Sequence, residues 1–237
     1  MIAAGYASLV GALACPAVAA LLWSRLSRLT EPIDDDQSGD LVPGQSPAWV
    51  KPTYADVASR RDWLVATLLV AAALGAWAGT ADDPWPWFAW ASAGLVLVVV
   101  DLATTYLPVR LHWWAAALTL VGVAAALVRQ PSWALLGSTV GGAAVAAGFF
   151  WLVWRFSGQF GFGDVRLAAP LGALAGLLGW PGWFAALLAG TALGAVHGLV
   201  VTAWRRRHPS GLGTAFPYGP ALWCGPWVAL LVSQLSR

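Results

Sequence analysis

Residues 85–101 read WPWFAWASAGLVLVVVD, in which sixteen residues without a charged side chain are followed by an aspartate. An uncharged apolar run of this length is typical of a membrane-spanning helix, which needs about 20 mostly apolar residues. The whole chain has this character, because 59% of its 237 residues are hydrophobic and 10% are charged. Soluble domains contain about 25% charged residues. The composition therefore excludes a soluble enzyme, and its hydrophobicity excludes a disordered chain.

Eight such stretches predict an all-α polytopic membrane protein with about eight transmembrane helices. They cover 2–23, 63–80, 85–100, 111–128, 133–154, 165–180, 183–203 and 218–235. Continuous apolar runs favour helices over a membrane barrel, whose strands alternate apolar and polar residues. The shortest breaks, at 82–84 and 181–182, predict tight turns between neighbouring helices.

The basic residues collect on one side of the predicted bundle. The loops at 24–62, 101–110, 155–164 and 204–217, with the adjoining helix ends, hold eleven of the 13 lysines and arginines. Because cytoplasmic loops carry the excess of positive charge, we expect these loops in the cytoplasm and both termini outside it. The net charge of +2 is too small to indicate a nucleic-acid partner. The two cysteines are too few for a disulfide scaffold or a cysteine-rich metal site.

These boundaries divide the chain into three parts. Residues 1–23 form the first transmembrane helix, 24–62 a cytoplasmic loop, and 63–237 a seven-helix transmembrane core. The loop holds seven acidic residues and four prolines, a composition that predicts a flexible polar connector. Glycines spaced four apart predict close helix packing. They are Gly137 and Gly141, Gly172 and Gly176, and Gly190, Gly194 and Gly198.

Asp101 and Asp164 stand apart from the other acidic residues. Of eleven acids, seven lie in the loop at 24–62 and two in the outer turn at 82–83, which leaves these two at the ends of apolar runs. The predicted topology places both at the cytoplasmic level. Either one alone is explained most simply by contact with water or with an arginine, but a carboxylate at a membrane boundary is costly unless solvated, paired or functional.

Asp164 ends the sequence Gly161-Phe162-Gly163-Asp164. Glycine at 161 and 163 predicts a backbone with positive φ that leaves room for a substrate main chain. Two carboxyl groups within hydrogen-bond reach share one proton. The ionised carboxylate then deprotonates a water while the protonated one polarises a peptide carbonyl. This aspartic-protease chemistry requires no metal and no organic cofactor.

Three segments resemble motifs of the prepilin peptidases, the type IV leader peptidases among the GxGD intramembrane aspartic proteases. GFGDVRLAAPLGALAG at 161–176 resembles their second motif, and DLATTYLP at 101–108 resembles their first. FPYGP at 216–220 resembles the segment that opens their last helix. The order and spacing of the three motifs make the resemblance specific, and it extends over roughly 63–237.

The resemblance implies a bacterial inner-membrane endopeptidase that removes the short basic leader of prepilins or pilin-like secretion subunits at the cytoplasmic face. It implies Asp101 and Asp164 as catalytic residues, with Gly161 and Gly163 supporting the active-site loop. Arg166 stands where the family usually has lysine, and Val109 where it usually has Asn or Asp. The loop at 24–62 contains no cysteine, so the chain resembles a short, peptidase-only form and methyl transfer is not expected.

Other interpretations of the same residues remain open. A proton- or cation-coupled transporter would use the paired aspartates, with inverted repeats that the sequence does not show. A pilus-assembly subunit would leave them dispensable. The acidic run at 34–36 either attracts a basic leader or is simply a solvated loop. We expect His112 to anchor an interface and His197 to form a helix–helix hydrogen bond.

Overall fold

The computed structural model describes residues 2–30, 52–157, 161–207 and 216–236, and the regular secondary structure in these ranges is helical. The helices are α1 (Ile2–Trp23), α2 (Tyr54–Ser59), α3 (Arg61–Ala78), α4 (Pro84–Ala89), α5 (Leu95–Thr104), α6 (Val109–Arg129), α7 (Trp133–Ser157), α8 (Phe162–Gly176), α9 (Gly179–Arg205) and α10 (Gly219–Leu235). A π-helical turn, Trp90–Gly94, joins α4 to α5 in one continuous span.

Every predicted apolar stretch coincides with a helix or a continuous helical span, and the ends differ by at most four residues. Within the described ranges, six helices are long and apolar enough to cross a membrane. They are Gly5–Arg28, Arg61–Ala78, Pro84–Thr104, Val109–Arg129, Trp133–Ser157 and Gly179–Arg205. Helices α8 and α10 are shorter, with 15 and 17 residues. The all-α polytopic class is therefore confirmed, while the count of eight spans stays a prediction.

The span Pro84–Thr104 lies at the centre of the bundle and is largely buried among the other helices. Trp90, in its π-helical turn, is fully buried. Two reciprocal hydrogen bonds link it to α10: Trp90 Nε1 donates to the Trp223 carbonyl oxygen (3.0 Å), and Trp223 Nε1 donates to the Trp90 carbonyl oxygen (2.9 Å). An indole N–H buried in an apolar core needs such an acceptor. This pair therefore ties the central span to the last helix.

Most of the predicted glycine contacts are present. A β-carbon on Gly172 would overlap the Gly142 backbone of α7, and one on Gly176 would overlap Ser138 of the same helix. The stripe on α9 packs against α10 and the residues before it, with Gly194 against the ring of Tyr218. Gly137 faces open space, so its predicted packing role is wrong.

The turn between α8 and α9 lies four residues earlier than predicted. The chain breaks at Leu177 and Leu178, and Gly179 has a φ of 73°. Pro181 and Gly182 instead belong to the first turn of α9. A proline in the first turn of a helix breaks no intrahelical hydrogen bond, so it does not mark the end of the preceding helix.

Both described ends of the loop at 24–62 are structured. A short 3₁₀ helix, Leu26–Arg28, follows α1, and α2 precedes α3. The side chain and backbone of Thr53 form a capping box with Asp56 at the start of α2. Tyr54 and Val57 are buried in the core. A flexible connector is therefore the wrong description of these ends. The middle of the loop, with the acidic run at 34–36, lies outside the described residues.

Replacing Trp223 by phenylalanine should destabilise the bundle. The substitution removes one of the reciprocal hydrogen bonds and leaves the Trp90 carbonyl oxygen without its donor, which costs about 2 kcal/mol. Thermal unfolding in detergent should show a lower midpoint than for Trp133→Phe, a matched change at an exposed position. Equal midpoints for the two variants would contradict the role of this pair.

Candidate active site

A cavity of about 750 Å³ holds both Asp101 and Asp164 in its wall. Its lining comes from the end of α5 and the start of α6, the start of α8, and the residues just before α10. Leu29, Thr30 and Tyr54, from the two ends of the first loop, complete it. Five separate stretches of the chain thus converge on one space.

Asp101 lies in the last turn of α5 and is 3% exposed. The backbone N–H of Gly219 donates a hydrogen bond to its Oδ2 atom over 3.0 Å. Gly219 is the first residue of α10, and the amides at a helix N-terminus attract negative charge. A β-carbon at this position would lie 2.7 Å from Asp101 Oδ2. Glycine is therefore required for the carboxyl group to reach the backbone amide.

The chain turns sharply after Asp101. Thr105 ends α5 with a φ of 60°, and its N–H donates to the Asp101 carbonyl oxygen over 2.7 Å. The left-handed region is unfavourable for a β-branched residue, and such conformations concentrate at functional sites. The Thr104 hydroxyl stabilises this turn by accepting from the Tyr106 N–H. The turn directs the next residues along the cavity.

Asp164 occupies the first turn of α8 and is 7% exposed. Its carboxyl group is hydrogen-bonded by the backbone of Gly161, the N-cap residue of that helix. Its other oxygen, Oδ1, is buried without a hydrogen-bond partner among the described residues. Asp101 lies close enough for its charge to act on Asp164. The two carboxyl groups therefore share one electrostatic environment, and one acceptor oxygen is left for a ligand.

The two predicted glycines have different surroundings from those expected. Gly161 has a φ of −72°, and among the described glycines only Gly179 has a positive φ, so the predicted conformation is wrong. Gly163 lies within the first turn of α8. A β-carbon there would lie 2.7 Å from Cδ1 of Leu107, which follows the turn after α5. Gly163 thus allows the two aspartate-bearing segments to approach each other, whereas a β-carbon on Gly161 would make only an ordinary contact.

Two tyrosines that the sequence analysis did not single out line the cavity. Tyr218 lines the cavity and is close enough to Asp164 for an electrostatic interaction. Tyr54 is 2% exposed and faces the same space. Its position is signalled in the sequence only by the capping box of Thr53 and Asp56. His112 is buried, which contradicts the expected interfacial anchor. His197 contacts the Phe216 ring edge-on.

Among the described residues, no group of three or more His, Cys, Asp or Glu side chains lies in an arrangement that could hold a metal ion. The site is therefore described by its two carboxyl groups and the polar groups around them. Multiple apolar helices surround it, and these features define a multi-pass membrane protein with two buried aspartates in a common cavity.

Comparison with known proteins identifies a protein family whose model matches part of this chain. Residues 88–199, which include both aspartates, match the model of the type IV leader peptidase family. The predicted resemblance to this family is confirmed by the match. The matching region and the apolar helices together identify a multi-pass bacterial membrane protein. No solved structure matches the chain significantly.

Several bacterial proteins named prepilin leader peptidase/N-methyltransferase are similar to this chain. That of Pseudomonas putida is 36% identical over 108 residues, which cover 42% of this chain and 34% of the relative. That of Stutzerimonas stutzeri is 37% identical over 103 residues, covering 41% and 32%. That of Aeromonas salmonicida strain A449 is 36% identical over 102 residues, covering 40% and 33%. The chain thus spans about a third of the length of these relatives.

Replacing Gly219 by alanine should displace Asp101. The added β-carbon occupies the space of Asp101 Oδ2, and overpacking of this kind costs about 1–3 kcal/mol. Thermal unfolding in detergent should show a lower midpoint. The control is Gly137→Ala, which adds a β-carbon in open space within α7 and should stabilise the helix by up to about 1 kcal/mol. A midpoint for Gly219→Ala at or above the wild-type value would contradict the proposed close contact.

Proposed function

We propose that this chain is an aspartic endopeptidase that removes the leader from prepilins or pilin-like secretion subunits at the cytoplasmic face of the bacterial inner membrane. The observation that carries the proposal is the convergence of Asp101 and Asp164 on one cavity from helices distant in sequence. The match to the type IV leader peptidase family and the names of the relatives support a prepilin as substrate.

The proposed reaction uses the two carboxyl groups in opposite protonation states. The ionised carboxylate accepts a proton from a water as its oxygen attacks the carbonyl carbon of the scissile peptide bond. The protonated carboxyl donates its proton to the carbonyl oxygen, which gives a tetrahedral intermediate. The proton accepted from the water then moves to the departing amine, and the C–N bond breaks. One hydroxyl group of the intermediate returns its proton to the second carboxylate, which leaves a carboxylic acid product and restores the starting protonation states. The shared cavity and the free acceptor Asp164 Oδ1 suit this sequence.

The backbone supplies the positioning. The Gly219 N–H holds one oxygen of Asp101, and the Gly161 backbone holds one oxygen of Asp164. Each carboxyl group thus has one oxygen held in place, and Asp164 Oδ1 has no hydrogen-bond partner among the described residues. Rigid positioning of this kind contributes a large part of enzymatic rate acceleration. The cavity is also large enough, at about 750 Å³, for several residues of an extended peptide.

The transporter alternative is not favoured by the comparisons, which match a peptidase family. The relatives' names include N-methyltransferase activity. The cysteine-free loop at 24–62 gives no support for that second activity, and peptidase activity alone is proposed.

Replacing Asp101 or Asp164 by asparagine should abolish leader removal. Asparagine keeps the shape but can neither take nor give the proton, and loss of one acid or base costs about 10²–10⁴-fold in rate. The measurement is processing of a co-expressed prepilin, followed by the size of the pilin in membranes. Asp62→Asn, a matched change at an exposed position at the start of α3, should process normally.

Wild-type processing by either Asp101→Asn or Asp164→Asn would refute the proposal. Normal membrane levels and thermal unfolding of the variants separate lost chemistry from lost folding.

The rate of cleavage should fall at both ends of the pH range. Acid protonates the carboxylate that accepts the proton, and base removes the proton that the other carboxyl donates. The measurement is the initial rate of the purified protein in detergent on a prepilin, with the thermal unfolding midpoint followed over the same pH range. A flat profile across both limbs would contradict a shared proton.

A further inference from the structure

Arg166 lines the cavity and has no ion-pair partner among the described residues. It lies two residues after Asp164 in α8. Its Nη1 atom is buried and makes no hydrogen bond with any described residue. Within the described ranges the ion pair found is Arg129 with Asp83 at the outer turn, so no carboxylate of these residues pairs with Arg166. The ring of Phe162, 5.2 Å from the guanidinium carbon, is a weak substitute for an anion.

A second unsatisfied polar group lies beside it. His112 is 2% exposed, and its Nδ1 atom is buried without a hydrogen-bond partner in the described part of the chain. The Arg166 charge is close enough to act on this imidazole. A guanidinium offers only N–H donors, and a neutral imidazole can donate from Nδ1. An anion bound at Arg166 would also offset the effect of its charge on this imidazole.

We infer that Arg166 forms a subsite for a carboxylate on the substrate peptide. A guanidinium presents two parallel N–H groups that match the two oxygens of a carboxylate. A partly desolvated cation without a counter-ion is destabilising, and a bound anion removes that cost. The inference rests on the proposed function, because the substrate is the peptide that the two aspartates would cut.

The position of Arg166 favours a peptide over a lipid headgroup as the source of the anion. Arg166 lines the same cavity as Asp101 and Asp164, and the scissile bond would lie in this cavity. The two aspartates in the cavity would therefore perform the reaction, and Arg166 would bind a carboxylate of the substrate peptide. A substrate carboxylate at Arg166 would fix the register of the peptide relative to the aspartates.

The test is a double-mutant cycle between the enzyme and its substrate. Each Asp and Glu of a prepilin that the wild-type chain processes is replaced in turn by Asn or Gln. The wild-type, Arg166→Gln and Arg166→Lys enzymes are assayed on every substrate. We expect one substrate substitution to raise KM about tenfold or more with the wild-type enzyme, in line with measured couplings of close charge pairs. Arg166→Gln should raise KM equally, with no further rise when the two changes are combined.

The matched control is Arg155→Gln. Arg155 is in the last turn of α7, outside the cavity lining, with its guanidinium over the Phe156 ring. This variant should leave KM unchanged on all substrates. Arg166→Lys keeps the charge but not the paired N–H groups, so its KM should lie between the wild-type and Arg166→Gln values.

Additive effects for every substrate substitution, or a change in kcat alone for Arg166→Gln, would overturn the subsite. The subsite would also be overturned if the KM difference between wild-type and Arg166→Gln enzymes in lipid vesicles depended on the anionic lipid content and not on the substrate carboxylate. If Arg166→Gln does not fold, the Arg166→Lys enzyme provides the test. Removal of the substrate carboxylate should then raise KM less with Arg166→Lys than with the wild-type enzyme. Failure of the wild-type chain to cleave, or cleavage by Asp101→Asn, would instead refute the proposed function.

Discussion

The hydrogen bond from the Gly219 N–H to Asp101 joins the central span to the last helix at the cavity. The rest of the site depends on it, because Asp101 is otherwise a buried carboxyl group at the end of an apolar helix. The Trp90–Trp223 pair connects the same two elements a second time within the core. Two attachments define the position of α5 relative to α10, and with it the position of Asp101 in the cavity.

Among the described residues, the hydrogen-bond donors that hold the two aspartates come from the backbone and not from basic side chains. Within the described residues, each aspartate is held by a glycine backbone at the N-terminus of a helix, α10 for Asp101 and α8 for Asp164. A neighbouring arginine would neutralise a carboxylate and make it a poorer proton acceptor. A backbone amide donates a hydrogen bond to one oxygen of each carboxyl group but carries no net charge. The charge of the two carboxyl groups therefore depends on whether they share a proton. This arrangement suits acid–base chemistry in a region of low dielectric constant.

Glycine acts here through close approach more than through unusual backbone angles. Gly219 admits the Asp101 carboxyl group, Gly163 admits Leu107, and Gly194 admits the ring of Tyr218. Each contact brings a second element to the cavity at a distance that a β-carbon would prevent. In a membrane, where apolar burial between helices gives little driving force, such close packing is a main source of association. The same residues therefore contribute to stability and to the geometry of the site.

Much of the helical architecture could be predicted, because a span must be apolar and about 20 residues long wherever it lies in the chain. Predictions from local sequence failed where contacts with other helices determine the structure. Pro181 looked like a break, yet the turn lies before Gly179. The flanks of the first loop looked polar, yet Tyr54 and Val57 are buried because α2 packs on the core. His112 looked interfacial, yet it is buried once the helices have packed.

The sequence by itself determined that this is a helical membrane protein, and its motifs singled out Asp101 and Asp164. Apolar length and charge patterns are local, so they can be interpreted without knowing which helices touch. Only the tertiary structure decided that the two carboxyl groups share a cavity and that Gly219 holds one of them. It also decided that Arg166 lines the same space with no ion-pair partner among the described residues. These are contacts between residues far apart in the chain, and they exist only once the helices have packed.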